Sequence, residues 1–285
     1  MTKLYSVNTK LCISCGKCAL DCPTKAIAPD EDGKYVINQK RCIGCGHCGA
    51  VCPSNAVKFN NRDLTPWKDP KIAPEKVLQL IVGKRSMRRY QKKNIPKSVM
   101  KDILYAGSMT ATATNSQDWQ AHIYTGKEEK HLIEVASESM CRRLKKINTP
   151  IGRQLAKMVG FGSYAKKDFL EKAIKGYEKG IDGKKDPFFF DAPCVVIITS
   201  PRRKKNMARI NGVMAATHMM LYANSLGIGS CFIGFLDIAI SKNKKARREI
   251  GIGDDRSISA VFSLGYSDQK YIRLPERRNI MPEKK

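Results

Sequence analysis

Apolar residues recur at helical spacing across residues 127–146, at Leu132, Ile133, Val135, Ala136 and Met140, inside an otherwise charged stretch. That spacing predicts an amphipathic helix with one face against a core. Pro74 suits the first turn of an earlier helix over 75–82, which Gly83 ends, and a second helix over 97–106 follows Pro96. Residues 207–226 form a further helix that is apolar on nearly every face, through Val213, Met214, Ala215, Ala216, Met219, Met220, Leu221 and Ala223. A helix of that kind belongs at the centre of a domain. The unbroken apolar run Cys194-Val195-Val196-Ile197-Ile198, introduced by Ala192-Pro193, predicts a buried strand, and residues 121–124 and 258–264 predict others. Patterning is weak over 148–190, which is rich in glycine and lysine, and an insertion or mobile lid is expected there. Helices alternating with about four strands indicate an α+β domain with a central sheet over residues 75–285. Residues 61–74 are polar and contain Pro66, Pro70 and Pro74, the composition of a linker, so residues 1–60 are expected to form a separate domain.

That first domain holds one cysteine run twice. Cys12, Cys15, Cys18 and Cys22-Pro23 are followed thirty positions later by Cys42, Cys45, Cys48 and Cys52-Pro53. Each copy has the thiolate spacing that holds a 4Fe–4S cluster. The flanks repeat as well, Thr24-Lys25-Ala26-Ile27 matching Ser54-Asn55-Ala56-Val57. A zinc site uses four ligands, usually as two separated pairs, and neither zinc nor a disulfide scaffold explains two triplets that each trail a Cys-Pro. The segment resembles a bacterial two-cluster ferredoxin over its whole length. In that arrangement the fourth cysteine of each run serves the other cluster. The resemblance therefore implies one cluster on Cys12, Cys15, Cys18 and Cys52, and a second on Cys42, Cys45, Cys48 and Cys22.

Eight of the eleven cysteines lie in these runs. Cluster ligation needs thiolates, so a reducing cytoplasm is expected; the N-terminus has no apolar stretch of signal-peptide type, and no apolar run approaches a membrane span. Cys141, Cys194 and Cys231 are scattered and read as small buried apolar residues. The formal net charge of +26 favours acidic partners, and most of it lies beyond residue 60. Its basic runs carry no interleaved aromatics to stack on bases, so nucleic acid is not expected as a partner.

Three further segments carry the chemistry of the second domain. Lys84-Arg85-Ser86-Met87-Arg88-Arg89-Tyr90 follows the first helix, Ala111-Thr112-Ala113-Thr114-Asn115-Ser116-Gln117-Asp118-Trp119 precedes the first strand, and Gly227-Ile228-Gly229-Ser230-Cys231-Phe232-Ile233-Gly234 closes the long helix. The last has a helix cap and turn as its ordinary alternative, and Phe232 stands where a dinucleotide fingerprint needs glycine. In this order the three segments resemble those of the FMN-dependent nitroreductases, and with the ferredoxin in front the chain resembles ferredoxin–nitroreductase fusions. The resemblance implies that Lys84, Arg85 and Ser86 hold the FMN phosphate end, with Arg278 as a further phosphate ligand, and that Arg88 sits at the flavin pyrimidine edge. It implies that Thr112, Asn115 and Gln117 contact the flavin from a neighbouring subunit, hence a homodimer. Phe232, Ile233 and Gly234 would line the ring, with a backbone N–H directed at N5. Ala111-Thr112 and Asp118 depart from the family pattern, which has Pro-Ser and Pro there.

The implied activity is electron transfer from two 4Fe–4S clusters to FMN and on to a nitroaromatic or quinone, with reduced ferredoxin, flavodoxin or NAD(P)H as donor. The alternatives are a dehalogenating branch of the same family and an electron-transfer module whose acceptor is another protein. No residue outside the flavin is needed for the redox chemistry. The four histidines, His47, His122, His131 and His218, are isolated in sequence.

Overall fold

The structure is a computed structural model and describes residues 5–160, 162–278 and 280. It divides into two units, one comprising the chain up to Ile72 together with Ala111–Ser116, the other Ala73–Thr110 with the chain from Gln117 onward.

In the first unit the sequence repeat becomes a structural repeat. Strand β1 (Tyr5–Val7) pairs antiparallel with β4 (Val57–Phe59), and β2 (Ile27–Pro29) pairs antiparallel with β3 (Tyr35–Ile37). The one-turn helices α1 (Lys17–Leu20) and α2 (His47–Ala50) each begin after a left-handed glycine, Gly16 and Gly46. Lys25 and Asn55 are left-handed at matching positions behind the two Cys-Pro pairs. Buried Ile27, Cys48 and Val57 form the centre of a small core, with Tyr5, Val7, Tyr35 and Ile37 around it. So few apolar side chains do not stabilise a unit of this size alone, and metal staples are the usual remedy.

The second unit is a four-stranded antiparallel sheet in the order β5-β6-β8-β7, formed by β5 (Gln120–Thr125), β6 (Cys194–Pro201), β7 (Ile228–Phe232) and β8 (Arg256–Tyr266). β6 is apolar from Cys194 to Ile198 and buried as far as Ser200 because both of its faces are covered. Val195 and Ile197 enter one core with α5 (Lys127–Ile147) and α9 (Gly234–Ile240). Cys194, Val196 and Ile198 enter the other with α4 (Lys97–Ser108) and α8 (Lys205–Ser225). The unit is thus helix, sheet and helix in three layers.

Two elements differ from the pattern-based expectation, and a third carries more regular structure than its weak patterning indicates. Helix α8 buries Ala208, Ala215, Ala216, Met219 and Ala223, but Met207, Ile210, Val213 and Met214 on its other side are exposed. The segment with a cap and turn as its ordinary alternative is strand β7, which both sheet pairing and its buried Ile228 and Cys231 support. The stretch expected as an insertion or lid contains helices α6 (Pro150–Met158) and α7 (Lys167–Ile181). Buried Leu170 and Ile174 anchor α7, and Phe188 and Phe189 beyond it lie in the main core.

Glu129 marks the junction of these parts. Burial, with Asp186 and Asp191 adding their charge, pushes its carboxyl from 4.5 up to about 7. The folded chain therefore retains a proton that the unfolded chain has released, and folding stability falls as pH rises from 4.5 to about 7. Glu129→Gln is expected to flatten that fall and to add about 1–3 kcal/mol at pH 8. Denaturant titrations across pH 5 to 8 check this, and an unchanged pH profile would exclude Glu129 as the titrating group.

Candidate functional site

Two small cavities lie in the first unit. Cys12, Cys15, Cys18 and Cys52 line one; Cys42, Cys45, Cys48 and Cys22 line the other. Each draws three sulfurs from one run and the fourth from its twin. Among the described residues no group of three or more His, Cys, Asp or Glu could hold a single metal ion, whereas four thiols ringing a cavity suit a multi-atom cluster.

The surroundings favour thiolates. The N–H of Ala26 donates to Cys22 Sγ at 3.2 Å, that of Ala56 to Cys52 Sγ at 3.3 Å and that of Gly44 to Cys42 Sγ at 3.3 Å. Burial alone would raise the Cys22 thiol, but the N–H of Ala26 and the Thr24 hydroxyl outweigh it and hold it below the usual thiol value. Burial at Cys52 is outweighed in the same way by the Ser54 hydroxyl and neighbouring N–H groups. Cys48 is pushed up to about 11 by burial, with Cys45 and Cys42 adding to it, so iron is the partner that would ionise it. The missing Cβ at left-handed Gly16 (φ 73°) and Gly46 (φ 81°) leaves room for a tyrosine beside each cavity. A Cβ there would stand 2.9 Å from the Tyr35 hydroxyl and 2.7 Å from the Tyr5 hydroxyl, respectively.

The second cluster of side chains lies along β7. Helix α3 (Pro74–Gly83) ends where Lys84 turns extended, and the chain then runs beside the strand. Ser86 bridges to Ser230, and the Met87 N–H donates to the Ser230 carbonyl at 3.0 Å. Gly229 permits this approach, since a Cβ there would sit 2.4 Å from Met87 Cγ. The Tyr90 hydroxyl donates to the Met87 carbonyl at 2.7 Å and meets Ser263 Oγ at 2.9 Å, fixing the far end of the run.

Lys84, Arg85, Ser86 and Arg88 are thus held on the same edge of the sheet as half-exposed Phe232. Arg89 pairs with Asp268, but among the described residues Lys84, Arg85 and Arg88 have no carboxylate ion-pair partner. Burial pushes the Lys84 ammonium down. Cations without carboxylate partners beside a hydroxyl, one of them partly desolvated, fit a phosphate-bearing anion. Within the same strand end, the Ile233 N–H is taken by the Val261 carbonyl at 2.9 Å, and Gly234 opens α9. The Ile233 N–H is therefore already engaged within the sheet.

Thr112 and Asn115 group with the first unit. The Asn115 amide donates to the Gly44 carbonyl at 2.8 Å and to that of Ile43 at 3.4 Å, between Cys42 and Cys45. Gln117 belongs to the second unit, exposed and left-handed at φ 42°. Arg278 is exposed in the irregular segment after β8. Arg256 is a residue that motif reasoning missed. It holds the Asp118 carbonyl at 3.0 Å and the Thr199 carbonyl at 2.8 Å, so β8 fixes the end of the 111–119 segment. No local pattern announces this, because its partners lie 138 and 57 positions away.

Residues 81–266 match the model of the nitroreductase family. The chain belongs to the nitroreductase family. Residues 11–56 match a 4Fe-4S dicluster domain, so a two-cluster ferredoxin domain precedes the nitroreductase domain. Among curated relatives, a 4-nitrobenzoate reductase from Nocardioides sp. (strain LMS-CY) is 23% identical over 67% of this chain and 81% of its own. A nitrobenzene nitroreductase from Ectopseudomonas oleovorans is 25% identical over 70% and 88%. Among solved structures, the FMN-dependent nitroreductase from Mycobacterium smegmatis in complex with NADPH aligns with a TM-score of 0.52 at 19% identity, over 72% of this chain and 95% of that one. An FMN-bound nitroreductase from Desulfitobacterium hafniense gives 0.51 at 16% identity, over 72% and 94%. These likenesses confirm the α+β fold of the second unit. No helix among the described residues is long and apolar enough to cross a membrane.

Proposed function

We propose that this nitroreductase-family protein is an FMN-dependent oxidoreductase in which two 4Fe–4S clusters supply electrons to FMN for reduction of an electron-poor substrate such as a nitroaromatic or quinone. The observation that carries the reading is the β7 edge, where three cations without carboxylate partners among the described residues, a serine and an exposed aromatic are gathered by the pairing of Ser86 and Met87 with Ser230. Lys84, Arg85 and Ser86 hold the phosphate end. Arg88 holds the pyrimidine edge, where a permanent charge favours the reduced, anionic ring. Phe232 and Gly234 wall the ring, and Gly229 keeps the cation run close to it.

The printed names of the relatives support a nitroaromatic substrate, and the FMN and NADPH seen in the structural neighbours support the cofactor and one donor. A reduced ferredoxin or flavodoxin is the donor proposed for the clusters. A reducing cytoplasm is the proposed location, because clusters need thiolate ligands. The protein is further proposed to be a homodimer that shares its flavin sites.

Anaerobically reconstituted protein is expected to carry about eight iron atoms per chain, as two clusters require, with stoichiometric FMN, and to turn over a nitroaromatic under anaerobic steady-state conditions. Iron near four atoms would remove the two-cluster reading. Reconstituted protein that binds no FMN would remove the flavoenzyme reading.

A further inference from the structure

Each of the three cations on the β7 edge lies against an aromatic ring from a distant part of the chain. Lys84 Nζ is 6.0 Å from the centre of the Phe232 ring, the Arg85 guanidinium 5.4 Å from that of Tyr271, and the Arg88 guanidinium 5.7 Å from that of Phe190. Phe190 is held there against its own backbone preference. Its φ is 63° and that of Asp191 is 56°, a left-handed conformation in which a bulky aromatic is an outlier. Backbone strain of this kind persists only where the surrounding structure over-determines it, and it gathers at functional sites.

The surroundings of Phe190 do over-determine it. The Asp186 carboxylate accepts the N–H groups of Phe188, Phe189 and Asp191 at 2.8 to 3.0 Å, closing a tight turn around residue 190. Phe188 and Phe189 before it, and Ala192 after it, are buried in the main core. Of the three phenylalanines, only Phe190 is exposed, at 39%. A connection that merely had to reach β6 from α7 needs neither an exposed ring nor a left-handed phenylalanine at this position. What the turn accomplishes is to present that ring to Arg88.

We propose that Phe190 is a positioning residue for Arg88: its ring holds the guanidinium at the flavin pyrimidine edge, so the Asp186–Asp191 turn tunes flavin affinity and potential. This rests on the flavin reading above. A guanidinium over an aromatic face is attracted to it, more strongly when water is excluded. A stacked Arg88 keeps its donors in one plane, where they can meet a ring edge. Reduction adds negative charge at that edge, so losing the ring should weaken binding of reduced FMN more than of oxidised FMN.

The test uses full-length, cluster-loaded protein with Phe190→Leu, Phe190→Tyr, Phe190→Gly, Arg88→Ala and the Arg88→Ala/Phe190→Leu pair. The readouts are FMN dissociation constants, the flavin midpoint potential and the melting temperature of flavin-stripped protein. Phe190→Leu is expected to weaken reduced FMN about tenfold more than oxidised FMN, which lowers a two-electron potential by about 30 mV. Phe190→Tyr should stay within about twofold of the parent, because the ring is retained. Phe190→Gly relieves the left-handed backbone, so its melting temperature should hold or rise while FMN binding falls as in the leucine variant. In the Arg88→Ala background, Phe190→Leu should change nothing further.

An unchanged potential in Phe190→Leu, or an equal drop with and without Arg88, would overturn the proposal. So would a Phe190→Gly variant that melts lower yet keeps its FMN affinity, since that marks a purely structural ring. Parent protein that binds no FMN would instead overturn the flavin reading itself.

Discussion

Replacing Cys15 and Cys45 together by serine is expected to lower turnover driven by a reduced ferredoxin or flavodoxin by on the order of a hundredfold or more. Direct reduction of the flavin by NAD(P)H should survive in the same variant. The two cysteines line different cavities, so the pair disables both clusters at once. The β7 edge uses neither of them: Lys84, Arg85, Ser86 and Arg88 are held by Ser230, Gly229 and Tyr90. The contrast between donors is what makes the test specific, because a variant that simply misfolds loses both activities. The parent protein adds a second signature. With a net charge of +26, encounter with an acidic carrier should slow steeply as salt shortens the screening length from about 30 Å at 0.01 M to about 8 Å at physiological strength. Anaerobic steady-state rates with each donor, over a salt series, measure both effects. Full carrier-driven turnover by the double variant would show that electrons enter elsewhere and that the ferredoxin domain is structural or regulatory.

The cysteine runs were legible because metal ligation fixes residue type and spacing together, and the cavities gather the same two sets of four that the ferredoxin resemblance implies. Helices α3 and α4 were legible from proline and glycine boundary signals, and α5, α8 and strands β5, β6 and β8 from apolar patterning, with ends within a few residues. Strand β7 was not, because Gly229 and Ser230 have low strand propensity and the segment is a strand through its pairing with β8. The 148–190 stretch misleads for a different reason. Its many lysines coat the outer face of α7, while Leu170, Ile174 and Tyr177 anchor it, and the pattern is carried by too few residues to stand out. At the β7 edge the cations were visible as a run. Their aromatic partners, Phe190, Phe232 and Tyr271, come from three elements far apart in the chain, and of these only Phe232 lay in a recognised segment. Contacts of that kind are set by sheet topology, which no local window records.

The exposed side of α8 leads to the other large expected effect. A helix apolar on nearly every face was expected at the centre of a domain, yet a single chain covers only one of its sides. Met207, Ile210 and Met214 fall at spacings of three and four on the open side, at 54%, 50% and 42% exposure. Val77, Leu78 and Ile81 of α3 are exposed in the same unit. A stable dimer buries roughly 800 Å² per partner, and an apolar stripe on a long rigid helix is suited to supply its centre. A second copy is the occupant proposed here because the family resemblance assigns Thr112, Asn115 and Gln117 to a neighbouring subunit's flavin. Introducing Ile210→Asp with Met214→Asp places four like charges in such a two-fold interface, at a cost of several kcal/mol each if they remain ionised. The variant is expected to elute as a monomer and to lose FMN affinity by about a hundredfold or more, since a shared site fails when either half departs. Its cluster absorbance and iron content should stay intact, because the first unit has its own core. Light scattering coupled to size exclusion, with flavin and iron analysis on the same peak, reads all three quantities. A parent protein that is monomeric at micromolar concentration with a full complement of FMN would refute the shared site. A charged variant that remains dimeric would move the interface off α8.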